Sequence, residues 1–88
     1  MDIEIRYKSS AFDHGVTEAD IEWAFNTAIH DCLMEPFTNR YVLTGFNTHG
    51  ILIEVMYNDI GENRVNVFHA MKCRDPLLEL LEQGETYG

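Results

Sequence analysis

The chain has little positive charge. Six Lys and Arg stand against fifteen Asp and Glu in 88 residues, for a net charge of −9. Broad non-specific binding to nucleic acid rests on neutralising phosphates with Lys and Arg, so the composition argues against it while leaving room for a local basic patch. Long apolar runs are also missing. None approaches the ~18 residues that a membrane span needs, and the N-terminal MDIEIRYKSS holds no apolar signal segment, so a cytoplasmic protein without membrane contact is expected. Cysteine is scarce: Cys32 and Cys73 form no C-x-x-C or finger spacing and are expected as free thiols. His14, His30, His49 and His69 are scattered, so neither a metal nor another cofactor is expected. There is no Gly-rich phosphate loop and no G-x-S-x-G.

What is present is enough for one folded domain over residues 1–88: 45% hydrophobic and 11% aromatic residues. The densest apolar pattern lies in residues 51–74, ILIEVMYNDIGENRVNVFHAMKCR. Two runs rich in β-branched and aromatic residues flank a polar segment with one glycine, which predicts a β-hairpin. With residues 60–63 as the loop, Asp59 faces Arg64, and Tyr57, Val55 and Ile53 share one face with Asn66, Phe68 and Ala70. The opposite face then makes Glu54 and His69 direct cross-strand neighbours. A one-residue slip would separate them. A carboxylate beside an imidazole can do general acid–base work near neutral pH, and it can equally be a structural pair on a half-buried sheet.

Before the hairpin, Ile3, Ile5 and Tyr7 alternate with Glu4, Arg6 and Lys8, as in a half-buried strand. Ser9 to Gly15 fits one short helical turn with a serine cap. Thr17-Glu18-Ala19-Asp20 resembles a capping box. A long helix is expected from there to about Met34, with Ile21, Ala24, Phe25, Ala28, Ile29, Cys32 and Leu33 as its apolar stripe and Trp23 as a flank of the core. Arg40 to Phe46 reads as a further strand. With Phe46 opposite Ile51, Val42, Thr44 and Phe46 would meet the long helix, and Tyr41 and Leu43 would join Glu54 and His69 on a mixed face. Asp75-Pro76 starts a short C-terminal helix. Its Leu77, Leu78, Leu80 and Leu81 would cover that face or form a homodimer or partner contact. The expected fold is α+β: a mainly antiparallel sheet, made of an N-terminal strand plus a three-stranded meander, packed against a long helix, with a short C-terminal helix.

Arg6, Lys8, Lys72 and Arg74 lie at strand ends and Arg40 begins a strand, so some of them can surround the Glu54–His69 face or simply solvate the strand ends. Arg grips phosphate bidentately and Lys as a point charge. An acid, a histidine and neighbouring cations can cleave RNA without a metal: one group takes the 2′-hydroxyl proton and a cation stabilises charge developing on phosphate.

His14-Gly15-Val16, followed by acidic helix residues and Ala24, resembles the opening of BrnT-like toxins of type II toxin–antitoxin systems. Gly45, the run from Gly50 to Val55 and His69-Ala70-Met71-Lys72-Cys73-Arg74 are similar to the later strands of that group, and the order of elements resembles its RelE-like ribonuclease fold. The resemblance implies a bacterial or phage protein that cleaves RNA and is neutralised by an antitoxin partner. The positions that match are His14, Glu54, His69, Lys72 and Arg74: Glu54, His69, Lys72 and Arg74 are then expected as catalytic and His14 as RNA- or partner-binding, a binding role that their place at strand ends also suggests for Arg6, Lys8 and Arg40. RelE-like toxins are typically basic, and this chain is acidic. That difference supports the alternative, a non-enzymatic interaction module that binds a basic protein partner.

Overall fold

In the structure, a computed structural model, residues 3–73 are described. Strand β1 (Glu4–Tyr7) is followed by a 3-10 turn (Ser9–Phe12) and helix α1 (Glu18–Asn26). Four strands come next: β2 (His30–Leu33), β3 (Arg40–Phe46), β4 (Leu52–Gly61) and β5 (Arg64–Lys72). They form one five-stranded sheet in the order β1-β5-β4-β3-β2, in which β1 runs parallel to β5 and every other pair is antiparallel. The expected four-stranded sheet under a long helix does not form. The sheet is mixed, it gains an edge strand, and its helix has nine residues. The expected C-terminal helix, with Leu77, Leu78, Leu80 and Leu81, lies outside the described residues.

The helix starts where its capping box predicts. Asp20 N–H donates to the Thr17 hydroxyl and Thr17 N–H donates to the Asp20 carboxylate, each at 3.1 Å. It stops eight residues short of the expected end. Thr27 turns its hydroxyl back to the Trp23 carbonyl at 2.8 Å and accepts the Phe46 N–H at 2.9 Å. Two residues on, Ile29 N–H donates to the Thr44 carbonyl. The backbone therefore leaves the helix to supply the partner that β3 needs, and the helical spacing of Ile29, Cys32 and Leu33 is overridden by sheet pairing. Only Ile21 and Ala24 of the expected stripe are fully buried, whereas Ile29 and Leu33 are exposed on the edge. Trp23 is also exposed rather than a flank of the core.

α1 lies against β3 and β4, and the approach is close. A β-carbon at Gly45 would overlap the Ala24 backbone, so a glycine there lets the helix settle on the sheet. The core is Ile21, Ala24, Leu43, Ile53, Val55, Tyr57, Val65, Val67 and Ala70, joined by Ala11 and Val16. Register sets which side chains reach it. Phe46 pairs with Leu52, not Ile51. That one-residue difference turns Tyr41, Leu43 and Gly45 toward the helix and sends Val42 and Thr44 to the opposite face, reversing the expected assignment of β3.

The β4–β5 hairpin is tighter than expected. Its turn is the two residues Glu62 and Asn63, with φ of 56° and 60°, the paired positive φ of a type I′ turn. Gly61, not Asp59, faces Arg64. Two irregularities then shift the ladder, and Glu54 pairs with Met71, Val55 with Ala70 and Met56 with His69. One of them matters most. The partner sequence steps from His69 directly to Val67, leaving Phe68 as an extra residue. Val67 and Ala70 are both fully buried in the helix-side core, although residues three apart on a regular strand point to opposite faces. The bulge reconciles the two and places Phe68 and His69 together on the other side.

Candidate functional site

The site lies on the sheet face turned away from α1. Glu54, the third residue of β4, is fully buried, and its Oε2 lies 3.0 Å from Nε2 of the partly exposed His69. The pair is diagonal rather than directly opposite, since Glu54 faces Met71 and His69 faces Met56. The register here differs by two residues from the expected one, and with a period of two the parity survives, so both side chains keep one face. Thr44, opposite Glu54 on β3, is also buried. A carboxylate only accepts, so a hydrogen bond from the ring to a carboxylate here would be donated by Nε2.

His14 joins this pair. Its exposed ring lies 5.4 Å from that of His69, edge to face. The 3-10 turn brings it there: the Ser10 hydroxyl donates to the Phe68 carbonyl at 2.6 Å. The expected serine cap does not form, because no side chain caps this turn and Ser10 is spent on β5. The result is a line of three groups running from the buried Glu54 through His69 to the exposed His14.

The cations are placed unequally. Lys8 and Arg40 line a cavity of about 220 Å³ together with Ser10, Asn58 and Phe68. Neither is in an ion pair among the described residues. Arg6, in contrast, is bound to the exposed Glu4 at 3.0 Å. Lys72 is exposed at the end of β5, opposite Ile53, on the parity of the helix side rather than of His69. Arg74 lies outside the described residues. The sequence pattern gives Ser10 and Asn58 no place in a site and puts Phe68 on the face of Val55, whereas all three line this cavity. The only local trace was the three-residue offset between Val67 and Ala70, which an unbroken alternation cannot bury on one side.

Polar groups elsewhere serve the frame. The Asp20 carboxylate accepts from Thr48 N–H at 3.0 Å and from the Thr48 hydroxyl at 2.8 Å, tying the helix start to the β3–β4 turn. The Thr48 backbone N–H, helped by Thr17, outweighs partial burial and holds Asp20 at about 2, below its usual 3.8. Tyr57 donates to Asp31 at 2.6 Å, and burial, then this bond, push its phenol upward. The Tyr7 hydroxyl is buried without a hydrogen-bond partner among the described residues. Burial, with Glu22 and Glu18 nearby in charge, raises it to about 12. Cys32 and Cys73 are both outside any disulfide. Among the described residues, no three His, Cys, Asp or Glu side chains converge as a metal site, and no helix is long and apolar enough to cross a membrane.

Comparison with known proteins finds no matching family model and no matching curated protein. A solved structure does match, the Brucella abortus ribonuclease toxin BrnT. The TM-score is 0.63 at 18% identity, over 83% of this chain and 99% of that one. The likeness establishes a BrnT-like fold.

Proposed function

We propose that this chain is a toxin-like ribonuclease that cleaves RNA through the 2′-hydroxyl without a metal. The observation that carries the reading is the 3.0 Å contact between a fully buried Glu54 and a partly exposed His69, on a fold shared with a ribonuclease toxin. Glu54 fixes the orientation of the ring and balances the charge it gains. His69 takes the 2′-hydroxyl proton. The 2′-oxygen attacks phosphorus, and the bond to the 5′-oxygen breaks. His14 gives that leaving oxygen a proton, so the products end in a 2′,3′-cyclic phosphate and a 5′-hydroxyl. The test is tightly controlled expression in a bacterial host, with growth and total RNA followed together. The wild type arrests growth with rapid RNA loss, and His69→Ala or Glu54→Gln restores both. Growth arrest that survives both substitutions in folded protein would remove these residues from the chemistry.

A second reading draws on a different region. The outer edge of the sheet is β2, exposed at all four positions, and Ile29, Leu33, Met34 and Phe37 are exposed in and around it. With a net charge of −9, this edge suits a basic protein partner, either an antitoxin or the target of a non-enzymatic module. Salt-sensitive capture of a partner with no RNA cleavage would favour the module. Cleavage blocked by a bound partner would unite the two readings.

A further inference from the structure

Beside the reactive pair lies a cavity of about 220 Å³ lined by Lys8, Ser10, Arg40, Asn58 and Phe68. Its composition runs against that of the chain. In a protein with fifteen acids and six bases, two cations meet at one cavity and neither is neutralised by a carboxylate among the described residues. The sheet order explains the placement. Lys8 follows β1, Arg40 opens β3, and β5 and β4 run between them. Three strand spacings of about 4.8 Å put the two backbones roughly 14 Å apart, a span that long cationic side chains close from both sides.

Between them stands Phe68, half-buried, which the bulge turns to this side next to His69. Asn58 adds an amide from β4, and its Nδ2–H is turned to Asn39 at 3.3 Å. The Ser10 hydroxyl spends its proton on the Phe68 carbonyl and keeps oxygen lone pairs. Two cations, in no ion pair among the described residues, flanking an aromatic surface are the elements that bind a single nucleic-acid strand: the ring stacks on a base and the cations hold the phosphates on either side.

We infer that the Lys8–Arg40–Phe68 cavity is a subsite for single-stranded RNA, with one base stacked on Phe68 and its flanking phosphates held by Lys8 and Arg40. The inference deepens the ribonuclease reading and rests on it for the identity of the strand. Phe68 precedes His69 in the chain, so a strand anchored here is delivered to the Glu54–His69 pair. The local patch also resolves a conflict in composition. An acidic chain repels duplex and bulk nucleic acid, while two placed cations and a stacking ring accept a single strand.

The test separates binding from cleavage. A short 2′-O-methyl oligoribonucleotide lacks the attacking hydroxyl, so it binds without being cut. It is titrated into the full chain with affinity and NMR shifts recorded, with inorganic phosphate and a bare nucleoside as parallel probes. The expected result is shifts at Lys8, Ser10, Arg40, Asn58 and Phe68. Dissociation constants should rise about tenfold in Lys8→Gln, in Arg40→Gln and in Phe68→Leu. The slope of log affinity against log salt should fall by about 0.7 for each lost cation. Arg64→Gln, at a cation already bound to Glu62, should leave binding unchanged. Lys8 and Arg40 are exposed, so their variants keep the test valid if Phe68→Leu disturbs folding. RNA cleavage with affinity indifferent to all three substitutions overturns the subsite and spares the catalytic reading. Phosphate binding as tight as oligonucleotide binding also overturns it. Oligonucleotide binding that responds as expected in a protein that cuts no RNA keeps a single-strand site and removes the catalysis.

Discussion

The two faces of this sheet are built to different rules. On the helix side, Leu43, Ile53, Val55, Tyr57, Val65, Val67 and Ala70 form a packed layer, and the backbones of α1 and β3 approach so closely that Gly45 has no room for a side chain. On the other side lie a buried carboxyl group, two histidines, a half-buried phenylalanine and two cations that are in no ion pair among the described residues. The first face gains stability from apolar burial at ~25 cal/mol per Å². The second buries the carboxyl group of Glu54, a polar group that needs hydrogen-bond partners once it leaves water, and His69 Nε2 stands 3.0 Å from it. The apolar core and the proposed site therefore lie on opposite sides of β4 and β5, and the Phe68 bulge lets one strand contribute to both.

If that division is right, substitutions on the two faces should have opposite signatures. The largest effect is expected on the reactive face. His69→Ala should lower the RNA cleavage rate by about 10²–10⁴-fold, and thermal melting should show the protein still folded. On the helix face, Gly45→Val should do the reverse, costing about 3 kcal/mol or more in a denaturant titration as the Ala24 backbone is forced away. A Gly45→Val protein as stable as the wild type would show that the helix can ride further from the sheet.

Smaller effects sharpen the contrast within the frame. Asp20→Ala removes a cap and a tether to Thr48 and should cost about 1–2 kcal/mol. The sign of its pH dependence is fixed by a folded pKa of about 2 lying below the ordinary 3.8. The carboxylate's contribution is complete above about pH 4 and is lost as pH falls toward 2. The stability gap between wild type and Asp20→Ala should narrow over that window, and a gap that stayed constant there would exclude an ionised cap. The smallest effect belongs to Tyr7. Its buried hydroxyl has no partner among the described residues, so Tyr7→Phe should be neutral or stabilising by up to about 1 kcal/mol. A loss of more than about 1 kcal/mol would reveal a bond made by that hydroxyl.

Local signals in the sequence carried the parts of the fold that depend on neighbours in the chain. The Thr17–Asp20 capping box, the hairpin, and the common face of Glu54 and His69 were all legible from spacing. The pair survived a wrong register because the difference was two residues, an even number. The assignment of β3 failed because its difference was one residue. The helix was read too long because Ile29, Cys32 and Leu33 keep helical spacing, while their structure is decided by the unpaired edge of β3, far away in sequence. Phe68 was assigned to the wrong face for the same kind of reason. A bulge is a two-strand property, and only the joint burial of Val67 and Ala70 betrays it. The parallel pairing of β1 with β5 likewise has no local mark.

The most direct measurement uses an oligonucleotide in which a single ribose keeps its 2′-hydroxyl and every other position is 2′-O-methyl. It is incubated with the purified chain in the presence of a metal chelator, and the product ends are identified by mass spectrometry. The account predicts cleavage at the ribose alone, leaving a 2′,3′-cyclic phosphate and a 5′-hydroxyl, with the reaction lost in His69→Ala. Cleavage at the 2′-O-methyl positions, or cleavage that persists in folded His69→Ala protein, would contradict the assignment of the chemistry to Glu54 and His69.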